Sequence, residues 1–245
     1  MTKTERSIFK SLQTDEDKKR FQKLFWQVRD STPGTPENEF MAEYYSRRRY
    51  AQSRLEGVHS DRARIYLILG KPAEVQNFSG SDRVVDCELW IYQAEGRSGL
   101  PPLMYLLFYR RDNAGEYKLY YPGLNSSLDI LSTSYMRGSI SKAGAYRIIQ
   151  ASYPELAKAT LSVIPEEANI AFAGAPNSSG QIIGQIFTRP EREVERSYLK
   201  NFTSPAGTVD ISYSTKEIAG KAMVFLTEFQ GIKFLNYSLL PDRIQ

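Results

Sequence analysis

The chain contains 245 residues, of which 41% are hydrophobic and 24% charged, the balance of an ordinary globular protein. Its 32 basic and 28 acidic residues are interspersed and leave a net charge of +4, too weak a field to indicate nucleic-acid binding by itself. No uninterrupted apolar run approaches the roughly 20 residues that a transmembrane helix requires, and wholesale disorder is disfavoured. The length fits one large domain or two domains of ordinary size.

The sequence contains few residues that could support thiol chemistry or bind a metal ion. Cys87 is the sole cysteine, so it cannot form an intramolecular disulfide, and with the single histidine, His59, it does not make a zinc site. We expect Cys87 to be a small core residue in a strand, and we predict no metal site and no cofactor. The segment Met1 to Lys10 is polar and lacks the apolar core of an export signal. That pattern leaves open a cytoplasmic protein or an exported one whose signal was removed.

Two amphipathic helices are predicted near the N-terminus. Thr14 is a good N-cap and acidic residues follow it, so a helix should run from Asp15 to Arg29. Its buried stripe comprises Phe21, Leu24, Phe25 and Val28, and Trp26 points off that stripe. After a Thr-Pro-Gly turn, Thr35 should cap a second helix that runs from Pro36 to about Leu55. Helices joined this tightly form an antiparallel hairpin.

The sequence becomes β-rich after the second helix. We interpret Arg64 to Leu69 as a strand, although an apolar run this short also fits a helical turn. Further strands are predicted at Glu88–Tyr92, Leu103–Tyr109 and Glu116–Tyr121, and Asp112-Asn113-Ala114-Gly115 should join the last two as a hairpin. The first half is therefore predicted to be a helical hairpin packed on an antiparallel sheet.

A second α+β region is predicted after a boundary near Asn125, which divides the chain into domains 1–125 and 126–245. Its predicted helices are Ala145–Ser152, Pro154–Ala159 and Asn177–Phe187, with a further turn or two after Pro190 as far as Asn201. Thr160–Ile164 should be extended, and the closing antiparallel strands are Thr208–Tyr213, Lys221–Phe229 and Ile232–Leu240, with Gln230-Gly231 as a turn. Because a strand lies so near the last residue, we expect a longer parent chain with further β domains. The predicted fold class is α+β.

The stretch from Phe9 to Tyr121 carries several motifs together. They are Phe25-Trp26 with Arg29-Asp30, the run Thr32-Pro33-Gly34-Thr35-Pro36-Glu37-Asn38-Glu39-Phe40, Asp61-Arg62 before Arg64-Ile65-Tyr66, Gly70-Lys71-Pro72, and Glu88-Leu89-Trp90-Ile91-Tyr92. This stretch resembles the GWxTD-domain family of bacterial proteins, whose function is poorly defined. The naming motif stands here as Gly57-Val58-His59-Ser60-Asp61, which keeps Gly and Asp, replaces Thr by Ser and lacks the Trp. The resemblance implies a protein of the bacterial envelope or an exported one.

The conspicuous residues of these motifs lie near two early bends of the chain. They are Trp26, Arg29, Asp30, Pro33, Gly34, Pro36, Asn38, Gly57, Asp61 and Arg62. We expect the carboxylates of Asp30 and Asp61 to accept hydrogen bonds from backbone amides of the Thr-Pro-Gly-Thr-Pro turn and to pair with arginines, which would fix the junction between helices and sheet. The alternative is a polar cluster that grips a ligand at one end of the helical hairpin.

No catalytic constellation is recognisable in the sequence. His59, Ser60 and Asp61 have the residue types of a hydrolase triad, but triad members normally come from separate segments. A hydrolase that uses His59 and carboxylates is therefore an alternative function. A second alternative is nucleic-acid binding through Arg47-Arg48-Arg49 and neighbouring tyrosines, although consecutive helical residues fan out by about 100° and do not share one face.

Tyrosines are concentrated on adjoining predicted strands, at Tyr105, Tyr109, Tyr117 and Tyr121. An exposed row of them, together with His59, would suit a contact surface for a protein or a glycan. Alternation along a strand would bury about half of them, so core packing is an equal account. The sequence leads us to the hypothesis of a non-catalytic binding or scaffolding module, with a protein as its partner.

Overall fold

The structure is a computed structural model that describes residues 3–30, 32, 34–93, 99–111, 114–136, 138–189, 212–218, 222–229 and 232–238. The helices among them are α1 (Lys3–Ser11), α2 (Asp15–Val28), α3 (Glu39–Arg54), α4 (Asp61–Leu69), α5 (Lys142–Gln150), α6 (Pro154–Leu161), α7 (Ala168–Phe172) and α8 (179–189). The strands are β1 (Glu74–Asn77), β2 (Cys87–Gln93), β3 (Leu103–Tyr109), β4 (Lys118–Leu119), β5 (Ser212–Ile218), β6 (Ala222–Phe229) and β7 (Ile232–Ser238). They form two antiparallel sheets, β1-β2-β3-β4 and β5-β6-β7. The predicted α+β class is confirmed.

The backbone contacts divide the chain into two compact units, one of residues 1–46 with 189–245 and one of residues 47–188. Several sequence predictions fall wholly or partly outside the described residues. They are Pro33, the turn residues Asp112 and Asn113, the segment from Pro190 to Asn201, residues 208–211 of the strand predicted at Thr208–Tyr213, Lys221, Gln230-Gly231, and the last two residues of the strand predicted to end at Leu240.

The first unit contains a helical pair that the sequence predicts only in part. α1, which the sequence analysis does not predict, packs on α2 through a small core of Ile8, Leu12, Phe21 and Leu24. α2 begins where it is predicted, because the Thr14 hydroxyl oxygen accepts a hydrogen bond from the Asp17 amide at 3.1 Å. The sheet β5-β6-β7 belongs to the same unit.

α3 begins three residues later than predicted. Asn38 is its cap, because its Oδ1 accepts a hydrogen bond from the Met41 amide at 2.8 Å. The Thr35 hydroxyl is a donor instead: it lies 2.7 Å from Glu39 Oε1 and 3.0 and 2.9 Å from the carbonyl oxygens of Thr32 and Glu37. The predicted Thr35 cap is therefore wrong, and Pro36 precedes the helix.

The interpretation of Arg64 to Leu69 as a strand is also wrong, because this segment lies in helix α4. Ser60 caps the helix: its hydroxyl oxygen accepts a hydrogen bond from the Ala63 amide at 3.2 Å. At the other end, Arg47 Nη1 donates to the carbonyl oxygens of Leu67 and Ile68 at 3.1 and 3.2 Å. Both ends of a short helix are thus bound by side chains, which supplies the stability that nine residues lack by themselves.

The central sheet of the second unit is covered on both faces. On one face Trp90, Leu106 and Phe108 pack against side chains of α4, α8 and the end of α3, namely Ile65, Leu69, Ile182, Ile183, Ile186, Ala51 and Leu55. On the other face Leu89 and Leu107 pack against α5 and α6 through Ala145, Ile149 and Leu156. Because β2 and β3 are buried on both sides, they consist of nearly continuous apolar runs. The two helices predicted to form a hairpin on the sheet are α2 and α3. The end of α3 contributes to this core, whereas α2 packs with α1.

Glu167 joins the start of α8 to the segment that follows α6. Its carboxylate accepts hydrogen bonds from the Ser178 amide at 3.1 Å, from the Ser178 hydroxyl at 2.8 and 2.9 Å, and from the Ser162 hydroxyl at 3.1 Å. Burial acts to raise the pKa of the Glu167 carboxyl, but these hydrogen bonds outweigh it and hold the pKa below its ordinary value. The contact positions α8, whose isoleucines fill one face of the core.

We expect Glu167 to make stability fall in acid. Because its pKa is lowered in the folded state, the carboxylate contributes stability above its unfolded pKa, and the contribution is lost as the pH falls through the folded pKa. Glu167→Gln should therefore flatten the decline of unfolding free energy between about pH 5 and pH 3, measured by urea titration. The exposed neighbour provides the control, since Glu166→Gln should leave the decline as in the wild type. A decline that Glu167→Gln leaves unchanged would contradict this role.

Candidate functional site

The first bend follows α2 and is fixed by Arg29 and Asp30. Arg29 Nη2 lies 2.6 and 2.8 Å from the two carboxylate oxygens of Glu5 on α1, and Glu5 is only 1% exposed. The guanidinium also lies over the Phe25 ring, 3.7 Å from its centroid. Asp30 Oδ1 accepts a hydrogen bond from the Thr32 amide at 3.1 Å, as expected of a carboxylate that fixes a turn. Both groups thus bind the protein's own chain.

Asn38 closes the same bend onto α2. Its amide Nδ2 donates to the Trp26 carbonyl oxygen at 2.7 Å, while its Oδ1 caps α3. One side chain therefore connects the end of α2 to the start of α3. Gly34 and Pro36 are exposed in the intervening loop.

The second bend, between α3 and α4, contains the motif Gly57 to Asp61. Glu56 and Gly57 both have positive φ, 61° and 89°, so the chain reverses through two left-handed residues. The Ser60 hydroxyl donates to the Leu55 carbonyl oxygen while it caps α4, so it connects the two helices. His59 is exposed, and Val58 packs against the core beneath.

Asp61 connects α4 to the central sheet. Its Oδ2 accepts a hydrogen bond from the Leu119 amide of β4 at 2.9 Å, and its Oδ1 lies 3.6 Å from Arg64. The amide that donates to Asp61 belongs to β4 and not to the Thr-Pro-Gly-Thr-Pro turn, so the expected donor is wrong. The contact nevertheless joins helix to sheet.

We expect Asp61→Ala to lower the free energy of unfolding by about 1–3 kcal/mol, because the Leu119 amide would lose its acceptor inside the fold. Chemical denaturation would measure the loss. Asp61→Asn keeps an acceptor oxygen and should retain most of the stability. If Asp61→Ala unfolded like the wild type, the junction role of this carboxylate would be wrong.

Arg62 is the centre of a buried polar network. Its Nη1 lies 2.7 Å from Glu88 Oε1 on β2, and its Nη2 lies 3.1 Å from Glu56 Oε1 in the bend. The guanidinium covers the Tyr117 ring at 4.2 Å from the centroid. Glu88 is held in turn by Trp90, whose indole Nε1 donates to Oε2 at 2.9 Å. The network therefore fixes the bend against two strands.

Tyr117 completes the network from the other side. Its ring lies between Arg62 and Arg110, whose Cζ is 4.4 Å from the ring centroid. Arg110 is bound by Asp86 at 3.0 Å, and the Tyr117 amide donates to Glu56 Oε2 at 3.3 Å. The left-handed backbone of Glu56 thus places one carboxylate where it binds both Arg62 and the chain before β4.

A cluster of aromatic rings lies on α2 and the first half of α3, and we call it the Trp26 cluster. The Trp26 ring contacts Phe25 at 4.9 Å, Tyr44 at 5.5 Å, Tyr45 at 5.6 Å and Phe40 at 6.3 Å between centroids. Phe40 and Tyr45 are exposed, and the other three rings are half-buried. The rings are held by one another and remain open to solvent. The sequence does not predict this surface, because an amphipathic helix of a hairpin is expected to pack its apolar face on the sheet.

Comparison with protein families gives a match over about half of the chain. The profile of the GWxTD domain matches residues 1–125. The chain belongs to the GWxTD-domain family. Comparison with curated proteins and with solved structures found no match. Both bends and the Trp26 cluster therefore lie within the GWxTD match, which ends just after β4.

The tyrosines proposed as a contact surface lie mostly in the core of this GWxTD protein. Tyr105, Tyr109 and Tyr117 are buried, and Tyr121 is half-buried. Burial raises the pKa of Tyr105, and its hydrogen bond to the Glu155 carboxylate raises it further. These tyrosines therefore pack in the core, which is the alternative that alternation along the strands left open. They do so because helices cover both faces of the sheet.

Among the residues that the structure describes, Cys87 and the acidic side chains do not form a metal site. Cys87 is fully buried, and burial followed by the nearby charge of Asp86 raises the pKa of its thiol, which therefore stays protonated. Within the described ranges, no group of three or more His, Cys, Asp or Glu side chains is placed to hold a metal ion. None of the helices described has the length and apolar composition to cross a membrane.

Proposed function

We propose that this GWxTD protein is a non-catalytic module that binds a partner protein through the Trp26 cluster. The observation that supports the proposal is the exposure of α3: of its 16 residues only Ala51 is buried, although the helix carries Phe40, Tyr44, Tyr45 and Tyr50. A helix with this many aromatic side chains outside the core is typical of a contact surface, where aromatic residues supply most of the binding energy.

The packing of the cluster also favours binding. The Trp26 ring contacts the rings of both Phe25 and Tyr44, so these rings support one another in the absence of a partner. Asn38 fixes the backbone of Trp26 against the start of α3. A surface ordered in advance loses less conformational entropy on association, and more of the contact energy appears as affinity.

The polar residues of the motifs support a structural role in place of catalysis. Arg29, Asp61 and Arg62 bind other groups of the chain, and the Ser60 hydroxyl lies between the Leu55 carbonyl and the Ala63 amide. The hydrolase alternative requires His59, which is exposed. A broad hydrolase substrate screen with His59→Ala as control separates the two functions, since an activity abolished by that change would replace our proposal.

Of the three arginines on which the nucleic-acid alternative depends, one is bound within the fold. Arg47 binds the last carbonyl oxygens of α4, whereas Arg48 and Arg49 are exposed. If the remaining arginines bound nucleic acid, affinity would fall steeply with salt. Absence of binding to single- and double-stranded DNA and RNA at low salt would remove this alternative.

Two tyrosines of α3 allow a matched test of the proposal. Tyr45, in the Trp26 cluster, is 43% exposed, and Tyr50, which stacks on Tyr66 outside it, is 45% exposed. A photoreactive phenylalanine analogue at each position, used in the native cell, should crosslink a partner from position 45. The partner identified there would be purified and titrated against the whole chain by calorimetry.

We expect Tyr45→Ala to weaken that complex by about tenfold or more, the loss typical of a central aromatic contact. Tyr50→Ala should leave the affinity within about threefold of the wild type. Equal losses for the two variants, or a partner that crosslinks only from position 50, would contradict the proposal.

The setting that we propose is the bacterial cell envelope, which the family resemblance implies. Fractionation of the native cell with an antibody to the chain tests it. Recovery in the cytosolic fraction alone would reject the envelope setting without touching the binding surface.

A further inference from the structure

The two edges of the central sheet differ in how their outward backbone amides are bound. Beside β4 the Tyr120 amide donates to the Leu107 carbonyl oxygen of β3 at 2.8 Å, so the amides of the alternate residues point away from β3. Each of them donates to a side-chain oxygen: Tyr117 to Glu56 at 3.3 Å, Leu119 to Asp61 at 2.9 Å and Tyr121 to Asn125 at 2.9 Å. These side chains close the edge to a further strand.

β1 forms the opposite edge, and its outward backbone groups are exposed. The Phe78 amide donates to the Cys87 carbonyl oxygen of β2 at 2.9 Å, so the amides and carbonyls of Val75 and Asn77 point away from β2. Among the residues that the structure describes, none is hydrogen-bonded to these outward groups. Backbone groups that alternate at this spacing fit another extended chain.

One face of β1 is uncharged. Val75 lies opposite Trp90 of β2 and is 47% exposed, and Asn77, two residues further on, points to the same side. An apolar side chain of an added strand would pack beside Val75 on this face.

The other face of β1 is acidic. The register through β2 places Glu74 on the same face as Tyr105 of β3. Burial raises the pKa of the Tyr105 hydroxyl, and three nearby carboxylates raise it further. They belong to Glu155, Glu166 and Glu74. Lys158 pairs with Glu155 at 2.9 Å and offsets that charge, whereas no ion pair within the described part of the chain joins Glu74 to a cation.

We propose that β1 binds an extended segment of another protein as an added strand, in which basic side chains alternate with apolar ones. The apolar side chains lie beside Val75, and the basic ones lie beside Glu74 on the acidic face. Main-chain hydrogen bonds to Val75 and Asn77 supply affinity, and the alternating side chains supply specificity. A second copy of this chain is disfavoured as the occupant, because antiparallel pairing of β1 with itself brings the same carboxylates to the same face.

Peptide display identifies the sequence that β1 prefers. A library of random peptides of about eight residues, selected on the whole chain, should yield sequences in which Lys or Arg alternates with apolar residues. The enriched peptide is then synthesised and titrated against the whole chain by fluorescence anisotropy.

Two substitutions at position 75 test where that peptide binds. Val75→Pro removes an outward amide and leaves the hydrogen bonds to β2 in place, so it should weaken binding about tenfold or more. Val75→Thr keeps the amide and the β-branched shape, and it should stay within about threefold of the wild type. Tyr45→Ala, in the Trp26 cluster, should leave the affinity for this peptide unchanged.

N-methylation of the peptide tests strand addition on the wild-type chain, without a variant that has to fold. Methyl groups on the alternate amides that face β1 should abolish binding, whereas methyl groups on the amides between them should be tolerated. The proposal is overturned by a library that enriches no peptide, by equal binding to Val75→Pro and Val75→Thr, or by equal effects of the two methylation patterns. Enrichment of acidic peptides, or a wild-type dimer that Val75→Pro dissociates, would replace the partner assigned here. None of these outcomes bears on partner binding at Tyr45, which has its own readout.

Discussion

Replacing Arg62 by methionine is expected to lower the free energy of unfolding by about 3–5 kcal/mol, because Glu88, whose side chain is 13% exposed, would lose its cationic partner. Arg62 is the cation that both Glu88 and Glu56 bind, at 2.7 and 3.1 Å, and its own side chain is 8% exposed. Methionine fills a similar volume, so the loss would measure the ionic network and not a cavity. Urea unfolding followed by circular dichroism gives the quantity directly.

Arg64→Met is the matched control for this prediction. Arg64 lies on the same helix two residues further on, and its side chain is half exposed beside Asp61 and the Phe187 ring. Its replacement should cost less than about 1 kcal/mol, as exposed ion pairs do. Similar losses for the two variants would show that Arg62 does not have the central role assigned to it.

The elements that the sequence predicts correctly are those whose signals are local. β3 runs from Leu103 to Tyr109 as predicted, because a continuous apolar run between turn residues has few alternatives. α2 begins at Asp15 because the Thr14 cap and three acidic residues in the first turn all lie within four positions. α5 and α6 lie within a few residues of their predicted bounds for the same reason.

The elements that the sequence misses depend on distant partners. α1 contains only a short apolar stripe among charges, and its buried Glu5 is explained by Arg29, 24 positions away. In α4 the apolar run has neither helical nor strand period, since one side faces the core and the rest is half-buried. The signal that the sequence offers for a helix there is Ser60, a good N-cap residue directly before Asp61.

The candidate site shows the same division. The residues of the two bends could be identified from the motifs, and Asp30 accepts a turn amide as a short-range contact. The partners of Arg62 could not be identified from the sequence. Glu88 is 26 positions away on a strand, and the position of the Glu56 carboxylate depends on a left-handed backbone. The buried tyrosines were ambiguous because alternation separates two faces only when one of them is open to water. The exposure of the Trp26 cluster could not be predicted from periodicity. Periodicity shows that a helix has an apolar face, but it does not show which part of the protein, if any, covers that face.

Arg29→Met is expected to destabilise the first unit by about 3–5 kcal/mol, because Glu5 would remain charged and buried with its bidentate partner removed. The double variant Glu5→Met with Arg29→Met removes both charges and should recover most of the loss, since apolar replacement of a whole buried pair is often neutral. Arg20→Met, at an exposed position of α2, should change stability by less than about 0.5 kcal/mol. Hydrogen exchange of the α1 and α2 amides measures the effect within this unit. A double variant as unstable as Arg29→Met would mean that the loss comes from other contacts of Arg29, such as its cation–π contact with Phe25, and that the ion pair adds little.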